Sequence, residues 1–228
     1  MPEPAPDSTG DGTEAGSLEP DADDEELRTL IVPGFVTLSD AEEIAVELAE
    51  DAGGDGDGAA ARRRARAIWA ARAAELAAAT GPSDADRLAD AFAVLERDHG
   101  FVTAMCAGFD KTDLRDELRE RRAAAGGTAW AGAGFHQQDA ESLASTPAVL
   151  YLLYSVFSPN PATPQDVVDA ALATDAGREA LAESDAGDAA TIMVRVLRNA
   201  GLDVSWDGSP ASRLQVAITD WRRPLPAG

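Results

Sequence analysis

Several stretches of the chain carry the apolar patterns of β-strands. The runs from Phe101 to Cys106 and from Thr128 to Phe135 are short and mostly apolar, which predicts two buried strands. The run from Ala148 to Phe157 is apolar on both faces, which is typical of a central strand. Near the end of the chain, 203–206 and 214–218 alternate polar and apolar residues around a turn. That alternation predicts a β-hairpin with one buried face.

Helical periodicity and helix-start signals fill most of the remaining chain. Ser39 to Glu42 and Ser83 to Asp86 both have the pattern of a capping box, which predicts a helix start at each place. Further helices are predicted from Asp110 or Thr112 to Arg122 and from about Asp185 to Ala200. The order of elements predicts an α+β fold, with a mostly antiparallel sheet of about five strands packed on several helices and a C-terminal β-hairpin.

The composition changes along the chain and suggests a domain organisation. Residues 1–22 contain little beyond Pro, Gly, Ser, Thr and acidic residues, so we expect a disordered acidic tail. Residues 23–224 are expected to form a single α+β domain. Within that domain, 23–99 is predicted to be helical and 100–224 to contain the sheet.

The charge of the chain disfavours some partners. The formal net charge is −22, and residues 1–27 hold ten acidic residues and no basic one. A field of this sign repels phosphate backbones, so we expect no nucleic-acid partner. Salt adaptation is a second explanation of the acidity, and the frequent Ala, Arg, Gly and Asp with a single lysine fit a GC-rich genome just as well. The chain also contains no apolar run of about 18 residues, so no membrane span is predicted.

One segment of this acidic chain is rich in basic residues. An alanine-rich helix predicted from Ala59 to Ala79 carries five arginines, at positions 62, 63, 64, 66 and 72. The cluster could contact a polyanion, or it could form a solvated face that pairs with the tail or with neighbouring helices. We favour the solvated face, because no aromatic residues are interleaved to stack on bases.

The strongest candidate for chemistry is Phe135-His136-Gln137-Gln138-Asp139, at the end of a predicted strand. One helical turn would bring His136 and Asp139 together, and a carboxylate beside an imidazole can produce a base or a ligand. The alternative is that Asp139 caps a helix beside a structural histidine. Gln137 and Gln138 could bind amide or peptide edges, or they could face the solvent.

The other candidates have weaker support. Cys106 could act as a nucleophile only if a base such as His136 were near, and a small buried apolar role is the default. Trp206 could offer a ligand platform or belong to the core. One cysteine and two histidines cannot form a Cys/His zinc site, so no metal is predicted. Phosphate-loop, dinucleotide and nucleophile-elbow motifs are missing, and no cofactor is predicted. The single cysteine and the acidic N-terminus favour a cytoplasmic location.

Three segments together resemble an actinobacterial domain-of-unknown-function family. They are the run Phe135 to Asp139, the strand Leu150 to Phe157, and the closing run from Leu197 to Gly208 with Arg213 and the segment Trp221-Arg222-Arg223. The resemblance covers about residues 25 to 223 and implies no established activity. Relatives often carry Cys-Cys-x-x-Cys-Gly after the first strand, whereas only Cys106 stands there in this chain. The resemblance therefore implies that any metal or redox chemistry of that stretch is lost here.

Three functions follow from these observations as hypotheses. The first is a non-enzymatic binding or regulatory module for an unknown protein or small molecule, because no convergent catalytic set is visible. The second is a small hydrolase- or transferase-type enzyme that uses His136 with Asp139, aided by Cys106. The third is an acidic inhibitor or nucleic-acid mimic, suggested by the charge of the tail. The sequence leaves the oligomeric state open.

Overall fold

The structure is a computed structural model that describes residues 22–51 and 58–227. Helices precede and separate the strands, and the last two elements are strands, which confirms the predicted α+β class. The helices are α1 (Ala22–Ile31), α2 (Leu38–Asp51), α3 (Gly58–Ala78), α4 (Asp84–His99), α5 (Lys111–Ala124), α6 (Gln137–Glu141), α7 (Gln165–Leu172) and α8 (Asp175–Asn199). A 3₁₀ turn follows α6 at Ser142–Ala144. The predicted tail at 1–22 and the glycine-rich stretch at 52–57 lie almost entirely outside the described residues.

The strands form one sheet of five in the described part of the chain. They are β1 (Phe101–Ala104), β2 (Ala131–Gly134), β3 (Ala148–Val156), β4 (Asp203–Ser205) and β5 (Leu214–Ile218), in the order β1-β2-β3-β5-β4. Strands β1 and β2 are parallel, and the other three pairings are antiparallel. The predicted sheet, its central strand and its C-terminal hairpin are therefore confirmed.

Helices cover the two faces of the sheet unequally. On one face, α4 and α8 pack over all five strands and form the main core. On the other face, α5 packs only over β1, β2 and Leu153 of β3. Val149 and Tyr151 point to this second face beyond the reach of α5, and they remain 43% and 36% exposed. The prediction that the central strand is buried on both faces is thus wrong for its first half, because no helix of the described residues covers it.

The first three helices form a separate small core that is attached by the C-terminal segment. Residues of α1, α2 and α3 bury one another. The indole Nε1 of Trp221 donates to the carbonyl of Pro33 at 3.0 Å, and Arg72 donates to the carbonyl of Trp221 at 2.6 Å. Arg72 is therefore buried, contrary to the predicted solvated face, whereas Arg62 and Arg66 are exposed as expected.

Local hydrogen bonds decide where the helices begin. Ser83 and Asp86 form the predicted capping box at the start of α4. At α2 the capping residues are instead Thr37 and Asp40. The hydroxyl of Thr37 donates to the carboxylate of Asp40 and accepts the backbone N–H of the same residue. The helix consequently begins before Ser39.

Among the described residues, none of the helices combines the length and the apolar character that a membrane span requires.

Candidate functional site

A polar cleft lies where β2 ends and α6 begins, on the partly uncovered face of the sheet. The chain leaves the buried Phe135, and His136 becomes the N-cap residue of α6. The beginning of α5 and the residue before β5 form the opposite sides. The cleft has a volume of about 470 Å³ and is lined by Asp110, Lys111, Thr112, His136, Gln138, Asp139 and Arg213.

His136 is held in a single orientation by its own helix. Its Nδ1 accepts the backbone N–H of Asp139 at 3.3 Å, so the ring proton of the neutral imidazole belongs on Nε2. Nε2 lies 3.0 Å from the Oδ2 of Asp139, but no hydrogen bond forms, because the N–H does not point at that oxygen. The side chain is only 5% exposed. The N-cap residue is thus His136 rather than Asp139.

The surroundings of His136 keep its ring neutral at pH 7. Burial is the largest influence and lowers the pKa of His136 below its usual value. The charge of Asp139 acts in the opposite direction, whereas Arg213 and Lys111 lower the pKa further. The 3.0 Å approach to Asp139 is therefore a contact of a neutral imidazole and not an ion pair.

Arg213 is the residue that joins the cleft to the sheet. Its Nη1 donates to both carboxylate oxygens of Asp139, at 2.9 and 3.1 Å. The guanidinium lies over the ring of Tyr151, 4.5 Å from the centroid. Nε and Nη2 of Arg213 form no hydrogen bond with the described residues, and the side chain is 27% exposed. The arginine is therefore fixed on two sides and still presents one donor edge.

The first turn of α5 supplies both charges on the opposite wall. The carboxylate of Asp110 accepts the backbone N–H groups of Asp113 and Thr112, and these bonds lower the pKa of Asp110. Lys111 is exposed at the rim and is the only lysine of the chain. With His136 neutral, Asp110, Asp139, Lys111 and Arg213 give the cleft a formal charge of zero within a strongly acidic protein.

A smaller recess of about 280 Å³ adjoins the cleft and shares Arg213 with it. Trp206 lines this recess and is half-buried. Its Nε1 donates to the carbonyl of Ser209 at 3.0 Å, so the indole is fixed by its own hairpin connection. Tyr151 and Gln215 form the floor, which belongs to the uncovered part of the sheet.

The cleft contains some of the residues that the sequence indicated and leaves others out. His136, Asp139 and Gln138 line it. Gln137 is half-buried, and its backbone N–H donates to the carbonyl of Gly108 at 3.0 Å. Cys106 lines neither the cleft nor the recess, and burial raises the pKa of its thiol to about 11. A thiol with so high a pKa is protonated at pH 7, which agrees with the default apolar role of Cys106 rather than with a nucleophile paired with His136.

Arg213, Lys111 and Tyr151 were not recognised as site residues from the sequence. Arg213 alternates with apolar residues in the hairpin, as any solvent-facing residue would. Lys111 is the only lysine of the chain, and this was the one feature of the sequence that could have drawn attention to it. Tyr151 lies in an apolar run that looked like core. The order of the strands brings the three together.

A slightly larger cavity of about 490 Å³ lies against the edge of β1, and its polar groups are already bonded. Glu96 accepts the backbone N–H and the hydroxyl of Thr103 at 3.0 and 2.6 Å, and Arg121 donates to the carbonyl of Thr103 at 3.3 Å. This cavity therefore offers fewer free donors than the cleft. Among residues 22–51 and 58–227, no group of three His, Cys, Asp or Glu side chains could hold a metal ion.

Fold and site together define a helix-covered α+β domain with a polar cleft beside an uncovered part of its sheet. The chain belongs to the domain-of-unknown-function family DUF6891, whose model matches residues 19–225. The match confirms the expected membership of a domain-of-unknown-function family, and it includes the whole predicted span of about residues 25 to 223. Searches of curated proteins and of solved structures returned no match.

Proposed function

We propose that this domain is a non-enzymatic binding module that holds its ligand in the cleft around Arg213. The observation that carries the proposal is the state of His136. A general base needs a ring nitrogen that can accept a proton from the substrate. Nδ1 of His136 already accepts the N–H of Asp139, and Nε2 carries the ring proton inside the protein.

Two other candidate catalytic groups, Asp139 and Cys106, are also engaged or lie elsewhere. Both oxygens of Asp139 already accept hydrogen bonds from Nη1 of Arg213. The thiol of Cys106 keeps its proton and lies outside the cleft. The donors of Arg213 and Lys111 and the amide of Gln138 remain available to hydrogen-bond a ligand.

Contacts at the sheet edges also favour binding at the cleft. A partner strand that joined β1 would have to displace Glu96 and Arg121 from Thr103. At the other edge, Arg198 donates to the carbonyl of Val204 in β4 at 2.8 Å. Charged side chains that cap edge groups in this way oppose strand addition.

The enzymatic alternative would use His136 with Asp139 and requires the ring to release the N–H of Asp139. The alternative of an acidic inhibitor or nucleic-acid mimic depends on the tail, most of which lies outside the described residues. No observation at the cleft favours either of these two alternatives.

A screen by NMR separates binding from turnover. We expect some members of a library of small polar metabolites to shift the backbone resonances of Lys111, Gln138 and Arg213 in the full chain. The spectra of the compounds themselves should stay unchanged over days. Arg213→Gln should abolish these shifts, whereas Arg119→Gln, an exposed arginine paired with Asp116, should leave them in place. New product signals that disappear in His136→Gln would contradict the proposal.

A further inference from the structure

We propose that the chemical group recognised by the cleft is a carboxylate, which binds the Nε and Nη2 edge of Arg213. This inference rests on the proposed function and specifies its ligand. The carboxylate would come either from a small organic acid or from the C-terminus of a peptide.

The free edge of Arg213 has the geometry for a carboxylate. Nε–H and one N–H of Nη2 are parallel, and together they match the two oxygens of a carboxylate. The same edge binds carboxylates elsewhere in this chain. Arg66 holds Glu42 at 2.6 and 2.9 Å, Arg97 holds Asp98 at 2.8 and 2.6 Å, and Arg222 holds Asp220 at 2.7 and 2.6 Å. In Arg213 that edge has no partner among the described residues.

The guanidinium of Arg213 is fixed before a ligand arrives. Asp139 holds Nη1 from one side, and the ring of Tyr151 lies against its flat face. An arginine that is already ordered loses less conformational entropy on binding than a free surface arginine does. Because Nη1 is the nitrogen that bonds Asp139, the Nε and Nη2 edge is left open, and Arg213 lines both the cleft and the adjoining recess.

The charge of the cleft favours a monoanion over a phosphate dianion. Lys111 and Arg213 are balanced by Asp110 and Asp139, so a bound carboxylate leaves a net charge of −1 and a phosphate dianion leaves −2. The chain as a whole already carries −22. A second negative charge at this place is therefore opposed by the field of the protein.

The uncovered sheet surface next to Arg213 indicates an apolar body on the ligand. Val149 and Tyr151 are neighbours on the same face of β3, and both are exposed. A phenyl or alkyl group attached to the carboxylate would cover them. A compact probe with both features is 3-phenylpropanoate, and its primary amide is a neutral isostere of nearly the same shape.

The test compares acid and amide on the wild-type chain by titration calorimetry and by NMR. We expect 3-phenylpropanoate to bind at least about tenfold more tightly than 3-phenylpropanamide, because only the acid satisfies a charged donor edge. It should perturb the side-chain resonances of Arg213 and Tyr151. Inorganic phosphate should bind more weakly than the acid. The peptide Gly-Gly-Phe and its C-terminal amide form a second pair, and a preference for either carboxylate source supports the inference.

Three variants locate the effect. Arg213→Gln should remove the difference between acid and amide, and Lys111→Gln should weaken acid binding two- to threefold. Arg97→Gln, which removes the same kind of edge at an exposed position, should change nothing. Thermal unfolding of each variant shows whether it is folded. The comparison in the wild type does not depend on any variant.

The outcomes separate this inference from the proposed function. If amide and acid bind the cleft equally well, or if phosphate binds more tightly than the acid, the carboxylate assignment is wrong and the binding module stands. If no compound of the wider screen perturbs the cleft, both are wrong.

Discussion

Trp221→Ala is expected to lower the free energy of unfolding by about 3–5 kcal/mol, the range for removing a large buried aromatic side chain. Trp221 is 3% exposed and packs beside Phe35, with ring centroids 6.4 Å apart. Its Nε1 bonds the carbonyl of Pro33, and its own carbonyl accepts from the buried Arg72. The substitution therefore leaves a cavity at the junction of the first three helices with the sheet, and it orphans one carbonyl.

Two variants calibrate this result in chemical denaturation. Trp221→Phe keeps most of the apolar volume and loses the bond to Pro33, so we expect a loss of about 1–2 kcal/mol. Trp206→Ala removes a half-buried indole in the hairpin and should cost less than Trp221→Ala. Equal losses for the two alanine variants would show that Trp221 does not attach the first three helices to the sheet.

Asp84→Ala is expected to destabilise the fold by roughly 3 kcal/mol, because it leaves buried donors without an acceptor. The carboxylate of Asp84 is 7% exposed and accepts the backbone N–H groups of Thr219 and Asp220 at 2.8 and 3.0 Å. It also accepts from the hydroxyl of Thr219 at 3.2 Å and from Arg87 at 2.7 Å. One side chain thus ties the start of α4 to the segment after β5.

The pH dependence gives Asp84 a second signature. Burial alone would raise the pKa of Asp84, but the bonds from Thr219, Asp220 and Arg87 outweigh it, and the pKa lies below its usual value. The folded state therefore holds this proton less tightly than the unfolded state. The contribution of Asp84 is fully present above the unfolded pKa of about 4 and is lost as the pH falls through the folded value.

The control for Asp84 is Asp98→Ala, because Asp98 forms an exposed pair with Arg97. We expect its effect to be much smaller than that of Asp84→Ala, because the solvent screens an exposed pair. Stability should be measured for both variants between pH 3 and pH 7. If Asp84→Ala were as mild as Asp98→Ala at pH 7, the segment after β5 would not depend on this carboxylate.

The sequence allowed most helices and strands to be predicted, but it did not show which of their side chains are buried. Alternation in the hairpin and the long apolar run of β3 predicted the strands, because these signals are local. The exposure of Val149 and Tyr151 was not predictable, since it depends on how far α5 extends across the sheet. The burial of Arg72 was missed for the same reason, because its partner Trp221 lies 149 positions away.

In the candidate site, too, the contacts between residues close in the sequence were predicted, and the contacts between distant residues were not. His136 and Asp139 were predicted as neighbours because one helical turn separates them. Arg213 lies 74 positions from Asp139, and the pairing of β3 with β5 brings it there. The proposed role of His136 depends on the hydrogen bond that its Nδ1 accepts from the backbone N–H of Asp139. The pattern of residue types does not show such a bond.

His136 is the N-cap residue of α6, and we infer that this bond to the backbone keeps it from acting as a base. Nitrogen-15 NMR of the two histidine side chains between pH 5 and pH 8 tests it most directly, with His99 as the internal comparison. We expect His136 to carry its proton on Nε2 at pH 7 and to have a pKa below the usual histidine value of about 6.5. A proton on Nδ1 at pH 7, or a His136 pKa at or above 6.5, would contradict this inference and favour the enzymatic alternative.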